Sequence, residues 1–120
     1  MLYTTYFAKL RALPENIIPV SICGKAPSWY AGRQYKKLAP KYGFFSEWKK
    51  THDNNYYIRC FNEQVLSLLD PQQVVDELKA LAGSEDIALV CCERPSDFCH
   101  RHLVANWLTQ AGFPTEEFGQ

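Results

Sequence analysis

The sequence predicts an α/β fold: one domain built on a small, mainly parallel sheet flanked by helices. Three observations carry this expectation. Short runs at Leu2–Phe7, Ile17–Cys23 and Ile87–Cys92 read as strands, and segments of helical spacing lie between and after them. The segment from Asp70 to Gly83 carries both a helix start and a helix stop. The 120 residues are 47% apolar, enough for one core without a disulfide.

The elements follow in order. Leu2–Phe7 is rich in Tyr, Thr and Phe, which suit a pleated, half-buried surface. A short helical turn through Lys9-Leu10-Arg11 comes next. Pro14 and Pro19 bracket the second apolar segment, and Gly24 and Pro27 end the strand Ile17–Cys23. Nine residues separate these two strands, whereas a parallel crossover needs about a dozen, so a short helical turn is the most that fits. Gln34–Ala39 and Phe45–Lys50 read as short helical pieces, interrupted by Pro40 and Gly43. Asp53-Asn54-Asn55 is a turn signal. Tyr57, Phe61, Val65, Leu68 and Leu69 then recur at helical spacing. Asp70 is an N-cap with Pro71 at the first helical position, and the helix Pro71–Ala82 stops at Gly83. Ile87–Cys92 is the third strand. Ser96 is placed as the cap of the last helix, Gly112 ends that helix, and Phe113–Phe118 is a short final strand. No internal repeat or domain boundary interrupts residues 1–120.

Composition excludes some functions. No apolar run approaches the roughly 20 residues that span a bilayer. The opening Met1-Leu2-Tyr3-Thr4-Thr5-Tyr6 has no signal-peptide layout, so a cytoplasmic protein without a membrane partner is expected. Five cysteines then point to free thiols, a metal site or catalysis rather than a disulfide framework. Thirteen basic and thirteen acidic residues balance, so the whole chain exerts no pull on nucleic acid. No cofactor is expected, and the oligomeric state is open.

The densest chemistry lies in Cys91–His102, where a strand hands over to a helix. Three cysteines, two histidines, a glutamate and two arginines fall within twelve residues. Ligands of α/β sheets bind outside the carboxyl ends of strands, which makes this turn the candidate site. On a helical wheel, Leu103, Val104, Trp107, Leu108 and Ala111 share one face with His100 at its middle, flanked by Cys99 and Arg101. His102 points to the opposite, solvated side. Glu93, Cys99 and His100 are the candidate catalytic residues. Arg101 and Cys92 are candidate ligand contacts, with Ser21, Thr5 and Tyr6 as secondary ones near strand ends. Cys99 in a helix's first turn beside Arg101 has the setting that lowers a thiol pKa. Against this, buried cysteines commonly serve as small apolar residues, the reading favoured for Cys91 and Cys92 as packing. Arg94 reads as a solvated loop charge.

Zinc is the competing reading, with Cys23, Cys92, Cys99 and His100 as donors. The spacing lacks the C-x2-C pair of a structural site. Adjacent Cys99 and His100 would also point about 100° apart on a helix, a poor chelate. No metal is therefore expected.

Leu89-Val90-Cys91-Cys92-Glu93 followed by Cys99-His100-Arg101 resembles the signature of the domain of unknown function 488 family: an apolar strand, Cys-x-Glu, then Cys-His-Arg. Tyr3-Thr4-Thr5-Tyr6 is similar to that family's Thr-containing first strand, and Val20-Ser21-Ile22-Cys23 with Pro27 to its second-strand region. Many members carry Asp-Val-Arg at the end of the second strand, where Ser21-Ile22-Cys23 stands here without either charge. Lys25 or Arg33 is the candidate replacement. The resemblance implies an α/β sandwich with a pocket at the strand ends, and it implies no reaction.

Gly24–Lys50 interleaves seven basic residues with the aromatic Trp29, Tyr30, Tyr35, Tyr42, Phe44, Phe45 and Trp48. Bases stack on rings while phosphates pair with cations, so a nucleotide or a nucleic-acid strand would suit this segment. The plainer reading, a solvated basic face over partly buried rings, is favoured, and Trp29-Tyr30 beside Gly32 is a candidate pocket wall or lid. His52 reads as an exposed turn residue. Three functions follow. The first is an enzyme acting on a nucleotide-like or phosphorylated small molecule, with Glu93 as base or nucleophile. The second is a nucleic-acid or nucleotide binding module without catalysis. The third is a cysteine-based thiol or redox enzyme.

Overall fold

The computed structural model describes residues 1–93 and 97–119. Five parallel strands, β1 (Leu2–Tyr6), β2 (Ile18–Ser21), β3 (Arg33–Gln34), β4 (Ile87–Cys91) and β5 (Thr115–Glu117), form one sheet in the order β3-β2-β4-β1-β5. Among the described residues four α-helices accompany them: α1 (Tyr42–Thr51), α2 (Asn54–Gln64), α3 (Pro71–Ala82) and α4 (His100–Gln110). The α/β class stands.

The short link between the first two strands is resolved by topology. β1 and β2 do not pair with each other. Both pair with β4, which lies between them, through Leu2↔Ile87 and Ile18↔Ile87. A 3-10 segment over Phe7–Ala12 carries the chain across.

Strand alternation divides the side chains between two faces. Leu2, Val20, Ile87 and Leu89 meet Phe61 of α2, Val74 and Leu78 of α3, and Val104 and Leu108 of α4 in the main core. A smaller cluster of Phe7, Cys23, Val90, Cys91 and Cys99 is packed by Leu10, Ala26 and Tyr30. The helices thus press on the face that carries Leu89, and the 3-10 segment and the loop carrying Tyr30 cover part of the opposite face around Val90, with Cys91 joining the smaller cluster from the helix-facing side at the end of β4.

Several expected boundaries move. Gln34–Ala39 is not one helical piece: Gln34 ends β3, and a 3-10 turn over Lys36–Leu38 follows. Asp53-Asn54-Asn55 is not a free turn, because Asn54 already begins α2 and the Asp53 carboxylate accepts the Tyr56 N–H at 3.1 Å. The chain reverses instead at His52, in the left-handed region at φ 54°, whose N–H donates to the Trp48 carbonyl. The α3 signals hold: Asp70 accepts the Gln73 N–H at 2.9 Å, and Gly83 closes the helix at φ 67°. Arg94 and Ser96 lie outside the described residues. Helix α4 begins at His100, with Cys99 in its N-cap position. Among the described residues, no helix is long and apolar enough to cross a membrane.

Candidate functional site

The site forms where β2 and β4 end and α4 begins. Ser21 is buried at the end of β2, and its hydroxyl accepts the Cys23 N–H at 3.3 Å. That bond fixes the turn carrying Cys23 toward β4. In the register, Cys91 is the partner of Tyr6 and shares a face with Leu89, the helix-facing side. Cys99 precedes α4 with an extended backbone, at φ −155° and ψ 142°, and its sulfur meets that of Cys91.

Four cysteines and a histidine converge there. Cys91 Sγ is 2.7 Å from Cys99 Sγ, 3.6 Å from Cys23 Sγ and 3.5 Å from His100 Nδ1. Cys23 Sγ is 3.7 Å from Cys92 Sγ, and Cys99 Sγ is 3.9 Å from His100 Nδ1. His100 Nε2 lies 2.7 Å from the Ile22 carbonyl. A carbonyl only accepts, so Nε2 carries the proton and Nδ1 turns its lone pair to the thiols whenever the ring is neutral.

The thiols titrate together. Cys91 is driven up from the ordinary thiol value, first by its contacts with Cys23 and Cys99 and then by burial. Cys99 falls to about 4, held there by its hydrogen-bonded contact with Cys91, by His100 and by the backbone of Arg101, against the cost of burial. Cys23 falls to about 3 beside Cys91 and Cys92, and Cys92 rises correspondingly. Burial opposes the His100 cation, yet the Cys99 sulfur beside it raises its pKa overall. Burial also pushes the Glu93 carboxyl above the ordinary carboxylate value, and the nearby Cys99 and Asp97 push the same way.

This cluster floors a cavity of about 430 Å³. Tyr42, Phe45, Trp48, Tyr57 and Phe98 make its aromatic walls, the exposed Glu93 and Cys92 stand on its rim, and among the described residues Lys25 is the lysine that borders it. Phe45 and Trp48 stack at 6.3 Å, Trp48 meets Phe98 at 5.5 Å, and Phe98 stands edge-on to Tyr57 at 5.0 Å.

The expected residues separate into two groups. Glu93, Cys92, Cys99 and His100 border the cavity. Arg101, Thr5, Tyr6 and Ser21 do not. Arg101 faces the core side of the sheet with no exposed surface, and its guanidinium binds Glu117 through two bonds of 3.1 Å and donates to the Glu93 carbonyl. Those bonds tie that arginine to β5 and to the end of β4, away from the cavity lining. The ring of Tyr6 packs 5.7 Å from the same guanidinium. Thr5 is buried, and its hydroxyl has no partner among the described residues. His102 is not fully solvated: it is half-buried, and its Nε2 is closed off without a partner among the described residues. The wheel argument against Cys99 and His100 as a chelating pair also fails, because Cys99 precedes the helix and its backbone is extended.

Sequence reasoning missed Cys91, Tyr57, Phe98 and the role of Trp48 as a wall. The alternation of β4 offered a signal for Cys91, since a residue in phase with Leu89 at a strand's carboxyl end points under the helices. The rings of Gly24–Lys50 are divided by the fold. Tyr35 and Phe44 are buried in the core, Phe45 and Trp48 face the cavity, and Trp29 and Tyr30 pack edge-on against Phe7 instead of forming a wall or lid.

A family model, DUF488-N3a, described as the active DUF488-N3 subclade, matches residues 7–112. No curated protein and no solved structure matches the chain.

Proposed function

This chain belongs to the DUF488 family, and from that premise we propose that it is an enzyme acting on a nucleotide-like small molecule held in the aromatic cavity. The observation that carries the reading is the cavity itself: flat apolar walls at Phe45, Trp48, Tyr57 and Phe98, with Glu93 on the rim and thiols on the floor. A planar base stacks on such walls, gaining roughly 1–3 kcal/mol per stacked base. Lys25 is the cation placed to meet an anionic substituent, the task first expected of Arg101. Glu93, with its pKa raised, is the general base or nucleophile.

The test has two stages. Thermal-shift titration with nucleosides, nucleotides and sugar phosphates selects a ligand. A site filled at a hundredfold excess over Kd stabilises by about 2.7 kcal/mol. Turnover of that ligand is then compared in wild type and Glu93→Gln. Retained binding with lost turnover supports the reading. Full turnover in Glu93→Gln sinks it, and binding without turnover in wild type leaves a binding module.

The 2.7 Å approach of Cys99 and Cys91 favours a second reading, thiol chemistry at Cys99. Metal-free, reduced protein would then alkylate at Cys99 faster than at Cys60, a buried cysteine outside the cluster.

A further inference from the structure

We propose that Cys91 Sγ, Cys99 Sγ and His100 Nδ1 form a three-ligand site for a thiophilic d10 cation, Zn2+ by preference, whose fourth position opens into the aromatic cavity. The three donor atoms lie within 4.8 Å of one another and come from three residues that are each about 5% exposed or less. They are the donor types that zinc selects, and three protein ligands with one open position is the arrangement of catalytic rather than structural zinc.

The spacing supports this ion. Zinc–sulfur bonds of about 2.3 Å and zinc–nitrogen bonds of about 2.05 Å at tetrahedral angles place sulfur and nitrogen about 3.5 Å apart and two sulfurs about 3.8 Å apart. The sulfur–nitrogen separations are 3.5 and 3.9 Å. The sulfur pair is closer, at 2.7 Å, and opens by about 1 Å to admit the ion.

A second observation is independent of the thiols. The Ile22 carbonyl holds the proton of His100 on Nε2, which leaves Nδ1 as the ligating nitrogen in a fixed ring orientation. A hydrogen bond of this kind on the far nitrogen accompanies most metal-bound histidines. Binding is balanced by proton release: two neutral thiols lose two protons, and a thiolate already present loses none. Cys23 touches Cys91 but lies outside the trio, and it supports the floor.

All three ligands also border the cavity, so a water or a substrate heteroatom would complete the coordination. The metal site rests on the proposed enzymatic reading only for that occupant. Metal binding is therefore measured without any substrate, and its failure would leave the nucleotide-like ligand untouched.

The probe is Co2+, added to reduced, chelator-treated protein and displaced with Zn2+. The expected result is one equivalent of Co2+, a thiolate-to-cobalt charge-transfer band with tetrahedral visible bands, and loss of both on adding Zn2+. Cys99→Ser and His100→Ala should lose the band, and Cys60→Ser should keep it. Wild type supplies a check free of folding defects. Zn2+ should slow alkylation of Cys91 and Cys99 at least tenfold and leave Cys60 unchanged. Absence of the band in wild type, its survival in His100→Ala, or equal alkylation with and without Zn2+ would each overturn the site.

Discussion

Arg101 and Glu117 meet side-on, Nε to Oε1 and Nη2 to Oε2, each at 3.1 Å. The arginine has no exposed surface, and the glutamate side chain keeps 12%. The Thr4 hydroxyl donates to the same Glu117 Oε1 at 2.7 Å, tying β1, β5 and α4 together. A paired, bidentate charge is tolerated in a core, whereas a single one is not.

Removing the arginine should therefore cost more than the pair contributes. Arg101→Ala leaves Glu117 largely buried and unpaired, with an expected loss of about 3–5 kcal/mol in urea unfolding. Arg101→Lys keeps the charge and loses the fork, so its loss should be smaller but clear. Wild-type stability in Arg101→Ala would refute the structural assignment.

Glu93 should set the pH dependence of turnover. In the proposed role of general base it would work ionised, and its pKa lies above the ordinary carboxylate value. The rate should therefore rise with pH through that raised value and level off above it. Any residual turnover of Glu93→Gln should lack this limb. A limb that persists in Glu93→Gln belongs to another group.

The aromatic walls should act on affinity and not on folding alone. Trp48→Ala removes the ring that contacts both Phe45 and Phe98. The dissociation constant of a planar ligand should rise about fivefold to a hundredfold or more, from about 1–3 kcal/mol of stacking. Trp48→Phe should recover part of it. Titration calorimetry on both variants separates the outcomes, and an unchanged constant in Trp48→Ala removes stacking from the site.

The Cys99 thiolate depends first on Cys91. In reduced, metal-free protein, the pH midpoint for alkylation of Cys99 should lie far below the ordinary thiol value, and Cys91→Ala should move it upward. Mass spectrometry of the labelled peptide reads both. Equal midpoints would show that the neighbouring thiol has no such effect.

Helix α3 offers a simpler check. Asp70 accepts the Gln73 N–H, and Asp70→Ala should lose about 1 kcal/mol, with Asp70→Asn losing less. A loss within error of zero would contradict the cap.

What could be read from the residues was local. Asp70-Pro71 and Gly83 act through adjacent backbone, so both ends of α3 were legible. The turn at Cys91–His102 was legible as a candidate site because its reactive groups are neighbours in sequence. The fate of Arg101 was not, because Glu117 arrives from an edge strand that pairs with β1. The chelating geometry of Cys99 and His100 was misread because the wheel assumes helical backbone one residue too early. The wall from Tyr57 and Phe98 depends on the packing of α2 against the start of α4, a relation that periodicity does not encode.

The place of β4 has a consequence for assembly. β1 and β2 are made first, yet each is hydrogen-bonded to a strand that begins at Ile87. Until that strand is available, each presents an unpaired edge where β4 will lie, and both of those pairings span much of the chain. The sulfur of Cys23 meets Cys91 only when β4 inserts between them. The reactive floor is thus completed by the same step that closes the sheet, and a chain lacking residues 87–91 would retain Cys23 as an isolated thiol.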